Sequence, residues 1–245
     1  MSVLVVTGTG TGVGKTIVTA AIGVLAAQRG ASTAVVKLAQ TGVGDDEPGD
    51  LADIARLTGI DDLHEFARYP DPLAPAAAAR LARRPEVDLD KAVAEIAELA
   101  AIRRLVLVEG AGGLLVRFDS DGRTLADMAR MLGAPVLVVV DAGLGTLNHT
   151  ALTLEALAHR GLELTGLVVG AWPIQPDLAA RSNLVDLTAL AARPLAGLMS
   201  ANIGGSTPRQ FLAAAKTGLG PYLGGSFDAT EFVRKHRPDQ PGGTA

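Results

Sequence analysis

The segment Gly8-Thr9-Gly10-Thr11-Gly12-Val13-Gly14-Lys15-Thr16 restricts the fold more than any other part of the chain. An apolar, β-branched run from Val3 to Thr7 precedes it and a helical period from Thr16 to Gln28 follows, so strand, glycine loop and helix come in direct succession. Glycines lack Cβ atoms, which lets successive backbone N–H groups turn inward, and the helix start adds its dipole and unpaired donors. A loop of this kind cradles a polyphosphate. Lys15 is placed to reach the β- and γ-phosphates of a nucleotide, and the Thr16 hydroxyl supplies the hard oxygen that magnesium prefers. The strictest form of the motif puts its first glycine at position 9, which here is Thr9, so the loop is read from Gly8 with one extra residue.

Downstream, short β-branched runs alternate with longer segments of helical period, the pattern of parallel strands joined by helical crossovers. The runs Thr33 to Val36, Leu105 to Val108, Val136 to Val140 and Leu164 to Val169 are read as strands. Asp90 to Ala101, Thr124 to Leu132, Leu147 to His159 and Leu178 to Ala192 are read as helices. The expected fold is α/β: a single-domain, doubly wound, mainly parallel sheet with helices on both faces. At 245 residues one core suffices, and with 48% hydrophobic but only 3% aromatic residues that core must be built from Ala, Val and Leu. The domain is expected to span residues 1–217. A Gly- and Pro-rich tail over 218–245, from Gly218 through Gly220-Pro221 to Pro241-Gly242-Gly243, is expected to pack loosely.

Composition removes several function classes. With no cysteine there is no disulfide framework, thiol nucleophile or thiolate metal site. The start of the chain enters the first strand without a basic region or cleavable apolar segment, and no apolar run reaches the ~18 to 20 residues of a membrane span. A formal charge of −4 disfavours a nucleic-acid partner. These features together give the expectation of a cytoplasmic protein with neither membrane nor nucleic-acid partner.

Other candidate residues lie where strands end, the place where open α/β sheets bind ligands. Glu109 ends the third predicted strand and opens Glu109-Gly110-Ala111-Gly112-Gly113, where its carboxylate could hold magnesium. Asp45, Asp46, Glu47 and Asp50 form an acidic loop after the second strand; spacing alone does not choose among the four. Lys37 closes that strand in Lys37-Leu38-Ala39-Gln40-Thr41-Gly42, where a second cation could stabilise transition-state charge. Gly143-Leu144-Gly145-Thr146-Leu147-Asn148 marks another helix start, either an anion site or an ordinary cap. His64, His149, His159 and His236 show no metal-ligand spacing.

Taken together, Thr7-Gly8-Thr9-x-Thr11-x-Val13-Gly14-Lys15-Thr16, the strand-end Lys37, Val108-Glu109-Gly110-Ala111-Gly112-Gly113 and Gly145-Thr146-Leu147-Asn148-His149 resemble the dethiobiotin synthetases, in order and spacing, from residue 1 to about residue 172. That resemblance implies an ATP- and Mg2+-dependent cyclo-ligase of biotin biosynthesis, with 7,8-diaminopelargonic acid and CO2 as substrates. One amine becomes a carbamate, ATP phosphorylates it, and the second amine closes a cyclic urea. It implies Lys15 and Lys37 as catalytic groups, with Thr16, Asp50 and Glu109 on magnesium. ATP contacts are implied for Gly12, Val13, Gly14, Lys15, Thr16, Asp50, Glu109, Gly110, Ala111 and Gly112, and more weakly for Gly170, Ala171, Ser200, Ala201 and Asn202. Substrate contacts are implied for Thr11, Thr41, Thr146, Leu147 and Asn148, the last three reaching the partner subunit's site across a two-fold homodimer. Pro70-Asp71-Pro72-Leu73-Ala74-Pro75-Ala76 is similar to the family's loop near the substrate. One departure is Leu38, where the family has proline, from which a less rigid Lys37 is expected. Two alternatives share the cradle. A partition-type switch ATPase needs a lysine where this chain has Gly10, and a cobyrinate amidating synthetase needs a glutaminase cysteine.

Overall fold

A computed structural model describes residues 3–238. The chain opens with β1 (Val3–Gly8), α1 (Lys15–Gln28), β2 (Thr33–Lys37) and the two-residue β3 (Gln40–Thr41). It continues through α2 (Asp50–Thr58), β4 (Leu63–Glu65), the two-residue β5 (Arg68–Tyr69), α3 (Pro75–Ala82) and α4 (Leu89–Ile102). Then come β6 (Leu105–Gly113), α5 (Leu125–Leu132), β7 (Val136–Val140), α6 (Thr146–His159) and β8 (Leu164–Trp172). The last elements are α7 (Leu178–Ala191), β9 (Gly197–Ser200), α8 (Pro208–Gly218) and α9 (Ala229–His236). No helix among the described residues is long and apolar enough to cross a membrane.

Seven strands form one sheet in the order β4-β2-β6-β1-β7-β8-β9, with every neighbouring pair parallel. Successive strand side chains point to opposite faces, and both faces are covered. Val3, Val5, Val36, Val106, Val108, Val136 and Val138 pack on one side with α4, α5 and α7. Leu4, Val6, Val35, Leu107, Leu137 and Val139 pack on the other with α1, α2 and α8. The expected doubly wound, three-layer α/β/α fold is therefore present. Because β2, β6 and β1 are neighbours, their carboxyl ends lie side by side; Glu109 pairs in register with Lys37 on one flank and with Val6 on the other.

Of the segment expected to pack loosely, residues 218–238 are described and make several contacts with the domain. Leu219 and Phe227 are buried, Leu219 bridges to Gly197, and α9 lays Phe232 and His236 edge-on against Trp172, with centroids 5.6 and 6.0 Å away. A few aromatic contacts suffice to dock such a two-turn helix despite the glycine and proline content around it. Pro241-Gly242-Gly243 lie outside the described residues.

Candidate active site

The glycine loop takes the shape its residues allow. Gly12 and Gly14 have φ of +77° and +95°, the left-handed region that side chains rarely adopt. Gly14 also backs onto the end of β8, where its missing Cβ would lie 2.5 Å from the Gly170 carbonyl oxygen. A Cβ on Gly170 would sit 2.0 Å from the Val13 oxygen. These two glycines therefore fix how the loop seats on the sheet. Gly170, expected at the nucleotide, supports the loop from behind and does not line the cleft in front of it.

That cleft, about 630 Å³, is lined by Thr11, Lys15, Thr16, Lys37, Thr41, Asp50, Glu109, Ala111 and Gly112, among others. At its floor the charges converge. Lys37 Nζ lies 2.6 Å from Glu109 Oε1 and 2.5 Å from Asp50 Oδ2, and the Thr16 hydroxyl donates to the same Glu109 Oε1 at 2.9 Å. Lys15 Nζ folds back to donate to the Gly10 carbonyl at 2.9 Å. Lys37 and Glu109 are 4% and 0% exposed, so this is an interior ion cluster and not a surface pair. Burial alone would lower the Lys37 pKa, but the Glu109 and Asp50 carboxylates outweigh it and raise the value. At neutral pH Lys37 is a fixed cation. Burial lowers the Lys15 pKa, and the Lys37 charge lowers it further. The second Glu109 oxygen, Oε2, is buried without a hydrogen-bond partner among the described residues. Such an orphan requires a cation or donor to complete it.

The acidic loop sorts itself by geometry. Asp45 is engaged by Arg84 at 2.6 and 2.8 Å, and Glu47 Oε2 accepts from the Gly44 backbone N–H at 2.9 Å. Of the four carboxylates left open by spacing, only Asp50 lines the cleft. Two residues that sequence reasoning did not assign hold it there. Gln40 Oε1 accepts from the Asp50 N–H at 2.9 Å, and Arg68 grips the Gly44 and Glu47 carbonyls while pairing with both oxygens of Glu65. Nothing local in the sequence signals these contacts, since Arg68 sits two elements further along.

Leu38 also corrects an expectation. Its side chain is fully buried and its N–H donates to the Glu109 carbonyl at 3.3 Å, a bond proline could not make, so Lys37 is held by different means and not left loose. Pro72, Leu73 and Pro75 line the cleft. The remaining sequence candidates lie apart from it. Gly110 gives its carbonyl to Lys37 at 3.4 Å. Ala171 is the penultimate residue of β8, Ser200 ends β9, and Ala201 and Asn202 follow it, where Ala201 N–H donates to the Trp172 carbonyl at 2.7 Å. Just beyond, a Cβ on Gly204 would lie 3.0 Å from Ile17, which does line the cleft. Thr146, Leu147 and Asn148 open α6 outside the cleft of their own chain; Thr146 is buried with its hydroxyl on the Asp141 carbonyl at 2.8 Å, whereas Asn148 is exposed.

Known proteins resemble this chain at two levels, fold and sequence. A family model described as an AAA domain matches residues 2–203. Among solved structures, the MinC:MinD cell division complex of Aquifex aeolicus superposes with a TM-score of 0.58 at 16% identity, covering 99% of this chain and all of that one. A ParA family ATPase from Chlorobium tepidum gives 0.52 at 12% identity, covering 87% and 90%. At such identities these likenesses speak for the fold alone. Sequence relatives are far nearer: the ATP-dependent dethiobiotin synthetase of Frankia casuarinae is 65% identical over 96% of this chain and 99% of its own. That of Streptomyces coelicolor is 55% identical over 97% and 100%. Identity at this level, end to end, leaves no room for a borrowed domain: the chain belongs to the ATP-dependent dethiobiotin synthetase family.

Proposed function

We propose that the chain closes the ureido ring of dethiobiotin from 7,8-diaminopelargonic acid, CO2 and ATP, releasing ADP and phosphate. The observation that carries this reading is the convergence of Lys15, Thr16, Lys37, Asp50 and Glu109 in one cleft. In the reaction, one substrate amine adds CO2 to give a carbamate. The carbamate oxygen takes the γ-phosphoryl group from ATP, and the second amine then attacks the carbonyl carbon, expelling phosphate and losing a proton. Each stage passes through anions crowded together, so the protein's task is to position them and to neutralise charge. The glycine loop receives the ATP phosphates, with Gly10 and Gly12 open where a side chain would otherwise intrude. Lys15 leaves its Gly10 carbonyl to meet the transferring phosphoryl group. Lys37, kept protonated by its carboxylate partners, faces the carbamate as a charge stabiliser and cannot serve as a base. Thr11 and Thr41 hydrogen-bond the substrate from the cleft wall.

Thr16, Asp50 and Glu109 form the hard-oxygen set suited to Mg2+, and the unpartnered Glu109 Oε2 supports that fit. When bound, magnesium screens the phosphate charges. Nucleotide contacts at Ala171, Ser200, Ala201 and Asn202 belong to the same reading, the base lying toward the Ile17 side, while Gly170 braces the loop from behind. So does a homodimer in which Thr146, Leu147 and Asn148 receive the substrate carboxylate of the partner's site. The exposed Leu144, Leu152, Ile174 and Leu178 on and beside the adjoining α6 and α7 support that interface. A cytoplasmic location completes it. The decisive experiment incubates the protein with diaminopelargonic acid, bicarbonate and Mg-ATP and detects dethiobiotin and phosphate by mass. ATP hydrolysis without dethiobiotin would reject the reading in favour of a switch ATPase.

A further inference from the structure

Helix α2 begins in an unusual way. Its N-cap is Gly49, which has no side chain to satisfy the first turn, and the cap is supplied from another element: Gln40 Oε1 accepts the Asp50 N–H at 2.9 Å. Gln40 is 5% exposed and stands three residues after Lys37, in β3, just past the bend that ends β2. One side chain therefore ties the strand end that carries Lys37 to the helix start that carries Asp50. The fit is close, for a Cβ on Gly49 would lie 2.8 Å from Gln40 Oε1, 2.9 Å from its Cδ and 3.1 Å from Arg68 Nη2. Gly49 is glycine because Gln40 occupies the place of a capping side chain. Its backbone, at φ −104° and ψ −167°, is extended and would accept serine if that place were vacated.

We infer that Gln40 is a positioning residue for the ring-closing reaction: it caps α2 from outside and thereby holds the Asp50 carboxylate against Lys37. This rests on the function proposed above. Gln40 lines the cleft, so direct contact with substrate is the competing role, and a double substitution separates the two. In Gln40→Ala, kcat should fall about tenfold or more while KM for ATP changes less than about threefold, and the Asp50 amide should exchange with deuterium at least about tenfold faster. Gly49→Ser alone should also be impaired, since it collides with Gln40. Combined, Gln40→Ala/Gly49→Ser gives α2 a cap of its own in the space released, on the Leu51 or Ala52 N–H, and kcat should recover to within about threefold of wild type. Rescue supports positioning, because a serine at position 49 cannot replace a substrate contact made by Gln40. Unchanged kcat in Gln40→Ala, or a double variant no better than Gln40→Ala although the Leu51 and Ala52 amides of the first turn are protected, overturns the inference. A wild-type protein that makes no dethiobiotin fails the functional reading instead, and the exchange measurement still reports whether Gln40 caps the helix.

Discussion

Replacing Lys37 with methionine removes a cation that is 4% exposed and leaves Glu109, 0% exposed, as an uncompensated interior carboxylate. With its nitrogen 2.6 Å from Glu109 and an effective dielectric of about 20, the pair's gross attraction is roughly 6 kcal/mol. Most of that offsets the desolvation of both ions, so the measurable quantity is the cost of stranding one partner, about 3 to 5 kcal/mol. For a domain of this size each kcal/mol moves Tm by roughly 2 to 4 °C, and a fall of at least about 6 °C is expected. Thermal unfolding followed by circular dichroism measures it. Lys37→Met/Glu109→Gln, which removes both charges, should regain at least about 2 kcal/mol of the loss. The two carboxylates hold the Lys37 pKa above the ordinary lysine value of 10.5, so its contribution is complete below that pH and lost as pH climbs through the folded value. The Tm gap between wild type and Lys37→Met should thus be constant from pH 7 to pH 9 and close at strongly alkaline pH. Turnover in Lys37→Met should fall at least about 10²-fold at any of these values. A Tm change under about 2 °C, or a double variant no more stable than Lys37→Met, would refute the buried-cluster account.

Three further outcomes are expected. Asp50→Asn should raise the magnesium concentration giving half-maximal activity, whereas Asp46→Asn should leave it unchanged; the reverse order would show that the wrong loop carboxylate had been assigned. Gly170→Ala drives a methyl group into the Val13 carbonyl and should cost about 1 to 3 kcal/mol while raising KM for ATP several-fold, in calorimetry and steady-state kinetics respectively; a benign substitution would mean that the glycine loop is not braced by β8. If sites are shared across a dimer, Lys37→Ala and Asn148→Glu homodimers, each nearly inactive, should on co-refolding give about a quarter of wild-type activity, because half the dimers are mixed and each mixed dimer has one intact site. Asn148 serves here because it is exposed, whereas a charge at the buried Thr146 would damage α6 itself. No gain over the separate homodimers places the sites within single chains.

The glycine loop, β1, α1 and the strand-end positions of Lys37 and Glu109 were legible because each is encoded locally, by glycine spacing and by β-branched runs that end in charge. Their meeting in one cluster was not, since it depends on β2, β6 and β1 being neighbours, and strand order leaves no mark in a single sequence. Helix α8 carries a locally encoded start, for Thr207 and Gln210 form a capping box around Pro208. Helix α2 was harder, for its spaced Leu51, Ile54 and Leu57 begin after a glycine with no capping side chain. The choice of Asp50 over Asp45, Asp46 and Glu47 came from resemblance alone. Its physical basis lies in Gln40, Arg68 and Arg84, which act through contacts made only once β5 and α3 have folded beside the loop.

Trp172 is the only tryptophan in the chain. It closes β8 two residues after Gly170, lends its carbonyl to Ala201 in the loop after β9, and is covered by Phe232 and His236 of α9. Its emission therefore has a single origin, and that origin touches both the strand that braces the phosphate cradle and the last helix of the described chain. Fluorescence can follow these two regions without any label. Because Phe232 and His236 of α9 shield the indole, its emission should shift when α9 leaves the sheet, giving the enzyme an intrinsic optical gauge of whether that helix is seated.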